Sequence, residues 1–115
     1  MDKSKNKTTG NWGEDKAAEY LTTTGYKILE RNLKLFCGEI DILAEDNGIL
    51  VIVEVKTVRG GGWGKASDLV RFKKQKKLRL LALAVAKEYP NRDIRIDVIG
   101  IDEEKIEHIK NAVEG

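Results

Sequence analysis

The sequence has one cysteine and one histidine, and this scarcity excludes several kinds of site. Cys37 has no second cysteine with which to form an internal disulfide or a cysteine-based zinc site. With His108 as its only histidine, the chain cannot build a histidine-rich metal centre. Any metal must therefore be held mainly by carboxylates, which suit hard cations such as Mg²⁺ or Mn²⁺. Neither residue has a partner at a spacing typical of a site, and we interpret both as structural.

Long apolar runs are missing as well. The longest, Leu80 to Ala86, has seven residues, far short of the roughly 20 that span a bilayer. The first seven residues are polar and lysine-rich, unlike a secretory signal. These absences predict a cytoplasmic protein with no membrane partner. A length of 115 residues suits one core, and we expect a flexible basic tail over 1–10 and a single domain over 11–115.

The predicted elements follow the order helix, three strands, helix, strand, which is typical of an α/β fold with a mixed sheet flanked by helices. Caps, turn signals and periodicity give their bounds as helices over 11–24 and from 67 or 68 to 89, and strands over 26–36, 39–45, 49–57 and 93–101. The first half of 105–113 is predicted to be a further edge strand. We expect irregularity in the first strand around Asn32 and a mobile, glycine-containing loop over 58–67.

The Asn-Gly dipeptide at 47–48 is a strong signal for a two-residue hairpin turn. Counting back along both strands from this turn places Asp41 opposite Glu54 and Glu39 opposite Lys56. Directly opposed side chains share a face, with Cβ atoms about 4.5–5.5 Å apart. Two carboxylates at that separation can hold one divalent cation between them.

The two faces of this hairpin differ in charge. One is predicted to be wholly apolar and buried, and it consists of Ile40, Ile42, Ala44, Val51, Val53 and Val55. The other carries apolar Leu43, Leu50 and Ile52 near the turn, and the four charged residues away from it. The alternative to a site is a solvent-facing salt bridge between Glu39 and Lys56, which would contribute little to stability. We favour a site, because Asp41 beside Glu54 is destabilising unless a cation or a proton lies between them.

Glu14 extends the apolar face that Ala17, Ala18 and Leu21 form on the first helix. A carboxylate on a buried stripe needs a partner, and a metal cluster would supply one. The alternative is a favourable interaction of this acid with the positive end of the helix dipole. The sequence leaves both interpretations open.

Three sequence features together resemble the signature of PD-(D/E)xK nucleases: Glu14, Gly38-Glu39-Ile40-Asp41 and Glu54-Val55-Lys56. The closer likeness is to the small bacterial YraN-like proteins, which are themselves similar to Holliday junction resolvases. It covers about residues 10–113, with further matches at Gly13, Gly25-Tyr26, Arg31-Asn32, Val53, Lys74 and Ile96-Asp97-Val98. The restriction-endonuclease-like core of these proteins has the order αβββαβ, which agrees with the order predicted above.

The resemblance implies metal-dependent hydrolysis of phosphodiester bonds in DNA. The metal ligands would be Asp41, Glu54 and Glu14, with Mg²⁺ or Mn²⁺ as the cofactor. Lys56 would stabilise the charge that develops at the phosphate, and Glu39 would be an accessory residue that holds Lys56. Lys74 lies in line with the core stripe of the second helix, so Lys74 and Gln75 are further accessory candidates.

Positive charge is concentrated between residues 56 and 79. This segment has nine basic residues and one acid, a net +8, whereas the whole chain is +2. An excess of one sign is typical of phosphate-backbone binding, and the residues that we assign to this role are Arg59, Lys65, Arg71, Lys73, Lys76, Lys77 and Arg79. The alternative is a solvated helix face whose lysine stems cover apolar surface.

Three functions are therefore considered. The first is a metal-dependent endonuclease acting on DNA, with branched DNA as the substrate that the resolvase likeness suggests. The second is a nucleic-acid-binding module with a nuclease fold and little or no cleavage. The third is an interaction protein that docks an acidic partner on its basic helix. Resolvases act as symmetric dimers, and a homodimer would suit the first function.

Overall fold

The structure is a computed structural model that describes residues 9–57, 73–103 and 105–113, with residues 9–11 and 73–75 described at the backbone only. Most of the predicted tail, the predicted glycine-containing loop and the start of the second predicted helix lie outside these ranges. So do three of the predicted DNA-binding residues, namely Arg59, Lys65 and Arg71.

Two helices and five strands follow the predicted order. They are α1 (Thr9–Thr23), β1 (Lys27–Leu35), β2 (Gly38–Asp46), β3 (Ile49–Thr57), α2 (Lys73–Glu88), β4 (Ile94–Ile101) and β5 (Ile106–Ile109). The αβββαβ order and the additional edge strand are thus confirmed. Helix α1 begins at Thr9, two residues before the predicted start and inside the predicted tail. It ends as predicted before Gly25, whose φ of 99° is in the left-handed region that favours glycine. Within the described ranges, no helix is long and apolar enough to cross a membrane.

The five strands form one mixed sheet in the order β1-β2-β3-β4-β5. β3 and β4 are parallel, while the other neighbouring pairs are antiparallel. Helix α2 lies in the connection between the two parallel strands, as such a connection requires. This topology brings the amino end of β2 and the carboxyl ends of β3 and β4 to the same edge of the sheet, which we call the carboxylate edge.

Each face of the sheet is covered by one helix. The α1-side core consists of Ala17, Leu21, Tyr26, Ile42, Ala44, Val51, Val53, Ile99 and Ile101. The α2-side core consists of Ile40, Leu43, Leu50, Ile52, Leu78, Leu81, Val85, Ile96, Val98 and Val113. The core stripe of the second helix is thus formed by Leu78, Leu81 and Val85.

One prediction about the sheet faces is wrong. Ile40 and Ile42 were expected on the same face, but Ile40 belongs to the α2-side core and Ile42 to the α1-side core. The change of face at Ile40 is matched in β1, because Leu33, which pairs with Ile40, also packs on the α2 side. Just before Leu33, Asn32 has a φ of 54°, a left-handed conformation that breaks the alternation of a strand. The predicted irregularity at Asn32 is confirmed, and it changes which side chains β1 and β2 present to each helix.

Candidate active site

The β2–β3 hairpin has the predicted register. Its paired residues run from Asp46 with Ile49, next to the turn, to Ile42 with Val53. The turn residues have φ values of 52° and 85°, both positive, as a type I′ turn requires. The next positions along the two strands are Asp41 and Glu54, at the carboxylate edge.

Asp41 is held by the backbone of the neighbouring strand. The amide of Val55 donates a hydrogen bond to Asp41 Oδ2 at 2.8 Å. Burial, followed by the charge of Glu54, raises the pKa of Asp41 from its ordinary 3.8 to about 7. The Val55 hydrogen bond opposes this rise, whereas the charges of Glu14 and Glu39 add to it. Four acidic side chains thus act on one another at this edge, and Asp41 is at their centre.

Glu14 reaches this edge because α1 packs closely on the end of β3. A Cβ at Gly13 would collide with Thr57 Oγ1, so only glycine allows this approach. The Glu14 side chain is 15% exposed and lies 3.8 Å from Arg31 Nη2, while Arg31 also pairs with Asp15 at 2.6 Å. The first turn of α1 contains no acidic residue. The helix-dipole interpretation of Glu14 is therefore disfavoured, because that effect fades beyond the first turn.

The other predicted site residues that the structure describes lie on β2, β3 and α2. Lys56 is half-buried near the end of β3, and Glu39 is exposed near the start of β2. Helix α2 approaches the same edge, since a Cβ at Gly38 would lie 3.1 Å from Lys77 Cε. Lys76 and Arg79 are exposed on α2, and the backbones of Lys73, Lys74 and Gln75 form its first turn.

The acidic side chains fit a hard cation without forming a closed cage. In the part of the chain that the structure describes, no three His, Cys, Asp or Glu side chains have the spacing of a finished metal site. Mg²⁺ does not require one, because it is commonly held by one or two carboxylates together with waters and substrate phosphates. The partly buried, mutually repelling carboxylates centred on Asp41 have the chemistry of such an open site.

The sequence interpretation missed a buried polar network around Asp97, whose side chain is fully buried. Arg95 Nε and the amide of Asn111 donate to Oδ1 at 2.9 and 3.0 Å. Oδ2 accepts from the Tyr26 hydroxyl at 3.1 Å and lies 2.7 Å from His108 Nε2. Burial alone would raise the pKa of Asp97, but hydrogen bonds from His108, Arg95 and Asn111 outweigh it and hold the pKa at about 2.

This network joins several elements of the fold. His108 Nδ1 lies 2.9 Å from the Tyr20 hydroxyl of α1, and Arg95 Nη2 lies 3.1 Å from Asp46 Oδ2 at the hairpin. His108 therefore has a structural place between β5, β4 and α1. The signal in the sequence was an acid among Ile96, Val98 and Ile99, in a strand whose one other charged residue is Arg95.

The model of a known protein family, the uncharacterised protein family UPF0102, matches residues 13–101. This chain belongs to that family. The assignment confirms the resemblance to the YraN-like proteins, and the matched range contains every carboxylate of the candidate site. A UPF0102 protein of Thermodesulfovibrio yellowstonii is 49% identical over 107 residues, which cover 90% of this chain and 93% of the relative.

Two further similarities were found. A UPF0102 protein of Persephonella marina is 45% identical over 105 residues, covering 90% of each chain. Among solved structures, a complex of EndoMS with double-stranded DNA is similar, with a TM-score of 0.47 and 21% identity. That similarity covers 89% of this chain and 38% of the EndoMS chain.

Proposed function

We propose that this UPF0102 protein is a metal-dependent endonuclease that hydrolyses phosphodiester bonds in DNA. One observation supports this most strongly: a largely buried Asp41, fixed by the Val55 amide, has its pKa raised to about 7 by burial and by neighbouring carboxylates. Such a cluster of carboxylates destabilises the folded state when its members are ionised and no cation is bound among them. A cation that binds there removes the repulsion, and a protein that only binds DNA has no need for it.

Each residue at the carboxylate edge has a chemical role in this proposal. Asp41 and Glu54 would hold Mg²⁺ or Mn²⁺, and Glu14 would be a further ligand. The bound ion would polarise the phosphate and lower the pKa of an attacking water. Lys56 contacts a phosphate oxygen and stabilises its developing charge. Glu39 orients the Lys56 ammonium group from the neighbouring strand.

The basic residues after β3 would bind the DNA backbone. Exposed Lys76 and Lys77 belong to the amino-terminal half of α2, and Lys77 lies against Gly38 at the carboxylate edge. Phosphate contacts from this half of α2 would position a scissile bond over Asp41 without reading base sequence. The same role is proposed for Arg59, Lys65, Arg71, Lys73 and Arg79, with Lys74 and Gln75 as accessory residues near the metal.

A second candidate function is a nucleic-acid-binding module with little or no cleavage. The observation in its favour is that, over the described ranges, no three potential metal ligands have the spacing of a finished site. The two candidates differ in one measurable property, because both require salt-sensitive binding to DNA and only the first requires hydrolysis.

The experiment that tests the proposal is cleavage of end-labelled DNA in Mg²⁺ or Mn²⁺. Duplex, single-stranded, flap and four-way-junction substrates are compared for the wild-type protein, Asp41→Ala and Glu54→Ala. Asp93→Asn is the control, because Asp93 is an exposed acid just before the amino end of β4, away from the carboxylate edge.

We expect metal-dependent cutting by the wild-type protein and Asp93→Asn, and its loss in both alanine variants. If the four-way junction is cut fastest, branched DNA is the substrate, and symmetric paired incisions would support a homodimer as the active form. Salt-sensitive DNA binding without cutting of any substrate would instead establish the binding module.

A further inference from the structure

The outer side of α2 exposes more apolar surface than a solvent-facing helix side normally does. Leu80 is 46% exposed and Leu83 is 64% exposed. Together with Lys76 and Lys87 they occupy positions i, i+4, i+7 and i+11, which form one stripe along a helix. The outward stripe therefore has two leucines in its middle and a lysine at each end.

A cavity of about 390 Å³ lies beside this stripe. Small residues on α2 leave the space open, since Ala82 and Ala86 lie one turn apart where larger side chains would fill it. Ile94 and Ile96 of β4 and Val113 complete an apolar lining, and the polar lining residues are Arg79 and Asn111. The volume lies within the range of ligand pockets in proteins, which is roughly 300–1,000 Å³.

The cavity exists because β5 covers only part of β4 among the described residues. The β4–β5 pairs run from Val98 to Ile101 of β4. Alongside the preceding half of β4, the chain after β5 crosses instead, with the amide of Ala112 donating to the carbonyl of Ile96 at 2.7 Å. This crossing chain leaves a groove between itself and α2.

The groove is separate from the candidate active site. Ile94 pairs with Leu50 and Ile96 with Ile52, whereas Glu54 is two residues beyond Ile52. At about 3.3 Å per residue, the floor of the groove is roughly 7–13 Å along the sheet from the level of Glu54. The amino-terminal half of α2 thus approaches the carboxylate edge, and its carboxyl-terminal half borders the groove.

Charge indicates what the groove binds. One cationic side chain, Arg79, lines the cavity, and the exposed Lys76 and Lys87 lie at the two ends of the adjacent outward stripe. Two copies of α2 packed antiparallel through Leu80 and Leu83 would place Lys76 of one copy near Lys87 of the other, so these lysines disfavour self-association. A DNA backbone would satisfy the charges but would gain little from two leucines and an apolar cavity. An acidic peptide with one large apolar side chain satisfies both features.

We propose that the groove between α2, β4 and Val113 is a docking site for an acidic peptide segment of a partner protein. A single leucine or phenylalanine of the segment enters the cavity and packs on Leu83 and Ala86. A flanking Asp or Glu residue of the segment pairs with Lys87. This docking does not require the proposed nuclease activity.

A phage-displayed library of random peptides, panned against the full-length protein, tests the proposal. The enriched consensus peptide is then synthesised with a fluorescent label, and its affinity is measured by anisotropy. Ala86→Phe fills the cavity, Leu83→Ser removes an exposed contact with little risk to folding, and Lys87→Glu reverses one charge. Leu29→Ser is the matched control, because Leu29 is an exposed leucine on β1.

We expect a consensus with one large apolar residue among acidic ones. Burial of such an anchor corresponds to about 10- to 100-fold in affinity, so Ala86→Phe should weaken binding by about that factor. Leu83→Ser and Lys87→Glu should each weaken it severalfold, and Leu29→Ser should leave it unchanged.

Three results would overturn the proposal. The first is that no acidic, apolar-anchored sequence is enriched, or that the consensus peptide binds Ala86→Phe and Leu83→Ser as tightly as the wild-type protein. The second is that Leu83→Ser weakens binding to a duplex oligonucleotide and the duplex displaces the peptide, which would make this face part of the DNA interface. The third is that sedimentation detects a homodimer that Leu83→Ser dissociates.

Discussion

Replacing Asp41 with asparagine should stabilise the metal-free protein at neutral and alkaline pH. Asparagine keeps the size of the side chain and an oxygen that can accept the 2.8 Å hydrogen bond from the Val55 amide. What it removes is a negative charge that is buried and faces the carboxylates of Glu54, Glu14 and Glu39. The substitution therefore isolates the electrostatic cost of ionising Asp41 in the fold.

The size of the effect follows from the pKa of Asp41. Its rise from 3.8 to about 7 is a difference of about three pH units between the unfolded and the folded chain. At 1.36 kcal/mol per unit, ionisation of Asp41 destabilises the folded state by up to about 4 kcal/mol. Since Asp41 is not fully buried, we expect a gain of about 2–4 kcal/mol for Asp41→Asn at pH 8.

The sign of the pH dependence is fixed by which state binds the proton. Between pH 4 and pH 7 the folded protein retains the Asp41 proton while the unfolded chain has lost it, so the contribution of Asp41 to stability decreases as the pH rises. The free energy of unfolding is measured by urea denaturation in a chelating buffer from pH 4 to pH 8. The two proteins should be equally stable near pH 4 and should diverge progressively up to about pH 7.

A control and a metal titration complete this experiment. The free energy of unfolding of Asp93→Asn should change with pH as that of the wild-type protein does, because Asp93 is an exposed acid. Mg²⁺ should stabilise the wild-type protein at pH 8 and have little effect on Asp41→Asn, since binding to the folded state raises stability by mass action. The reasoning is refuted if Asp41→Asn is no more stable than the wild-type protein at pH 8, or if the difference between them does not change with pH.

Three further predictions concern the packing of the fold and are tested by urea denaturation. Asp97→Ala should lower the free energy of unfolding by about 3–5 kcal/mol, because it leaves Arg95 Nε, the Asn111 amide and the Tyr26 hydroxyl without their acceptor; an unchanged stability would show that the network contributes nothing. Gly13→Ala should destabilise by about 1–3 kcal/mol through its collision with Thr57, and Thr57→Ala should restore part of the loss; no loss would mean that α1 is not held against β3. Asn32→Val should cost about 1–2 kcal/mol because of its φ of 54°, whereas Asn32→Gly should be nearly neutral; equal effects would contradict the left-handed conformation.

Local sequence signals predicted the hairpin that carries the site. The turn at 47–48 needs two residues with positive φ, and Asn-Gly is the pair that adopts this conformation most readily. Once the turn is fixed, counting residues one by one along both strands gives the partner of every residue up to Ile42. This is why Asp41 and Glu54 could be placed at neighbouring positions from the sequence alone.

The features that the sequence did not predict depend on residues far apart in the chain. Ile40 changes face because Asn32, on the neighbouring strand, adopts a left-handed conformation that its own sequence context permits but does not require. The Asp97 network joins Tyr20 to His108, which are 88 positions apart, and no local pattern connects them. The groove beside α2 likewise depends on where the chain after β5 crosses β4.

The central claim is that Asp41 and Glu54 hold a divalent cation for DNA cleavage. The most direct test is the rate of cleavage of the best DNA substrate as a function of Mg²⁺ or Mn²⁺ concentration, for the wild-type protein and Glu54→Gln. We predict saturable dependence on the metal for the wild-type protein and a loss of about 100-fold or more in the variant. Cleavage by Glu54→Gln at the wild-type rate, or cleavage that persists in a chelator, would contradict the claim.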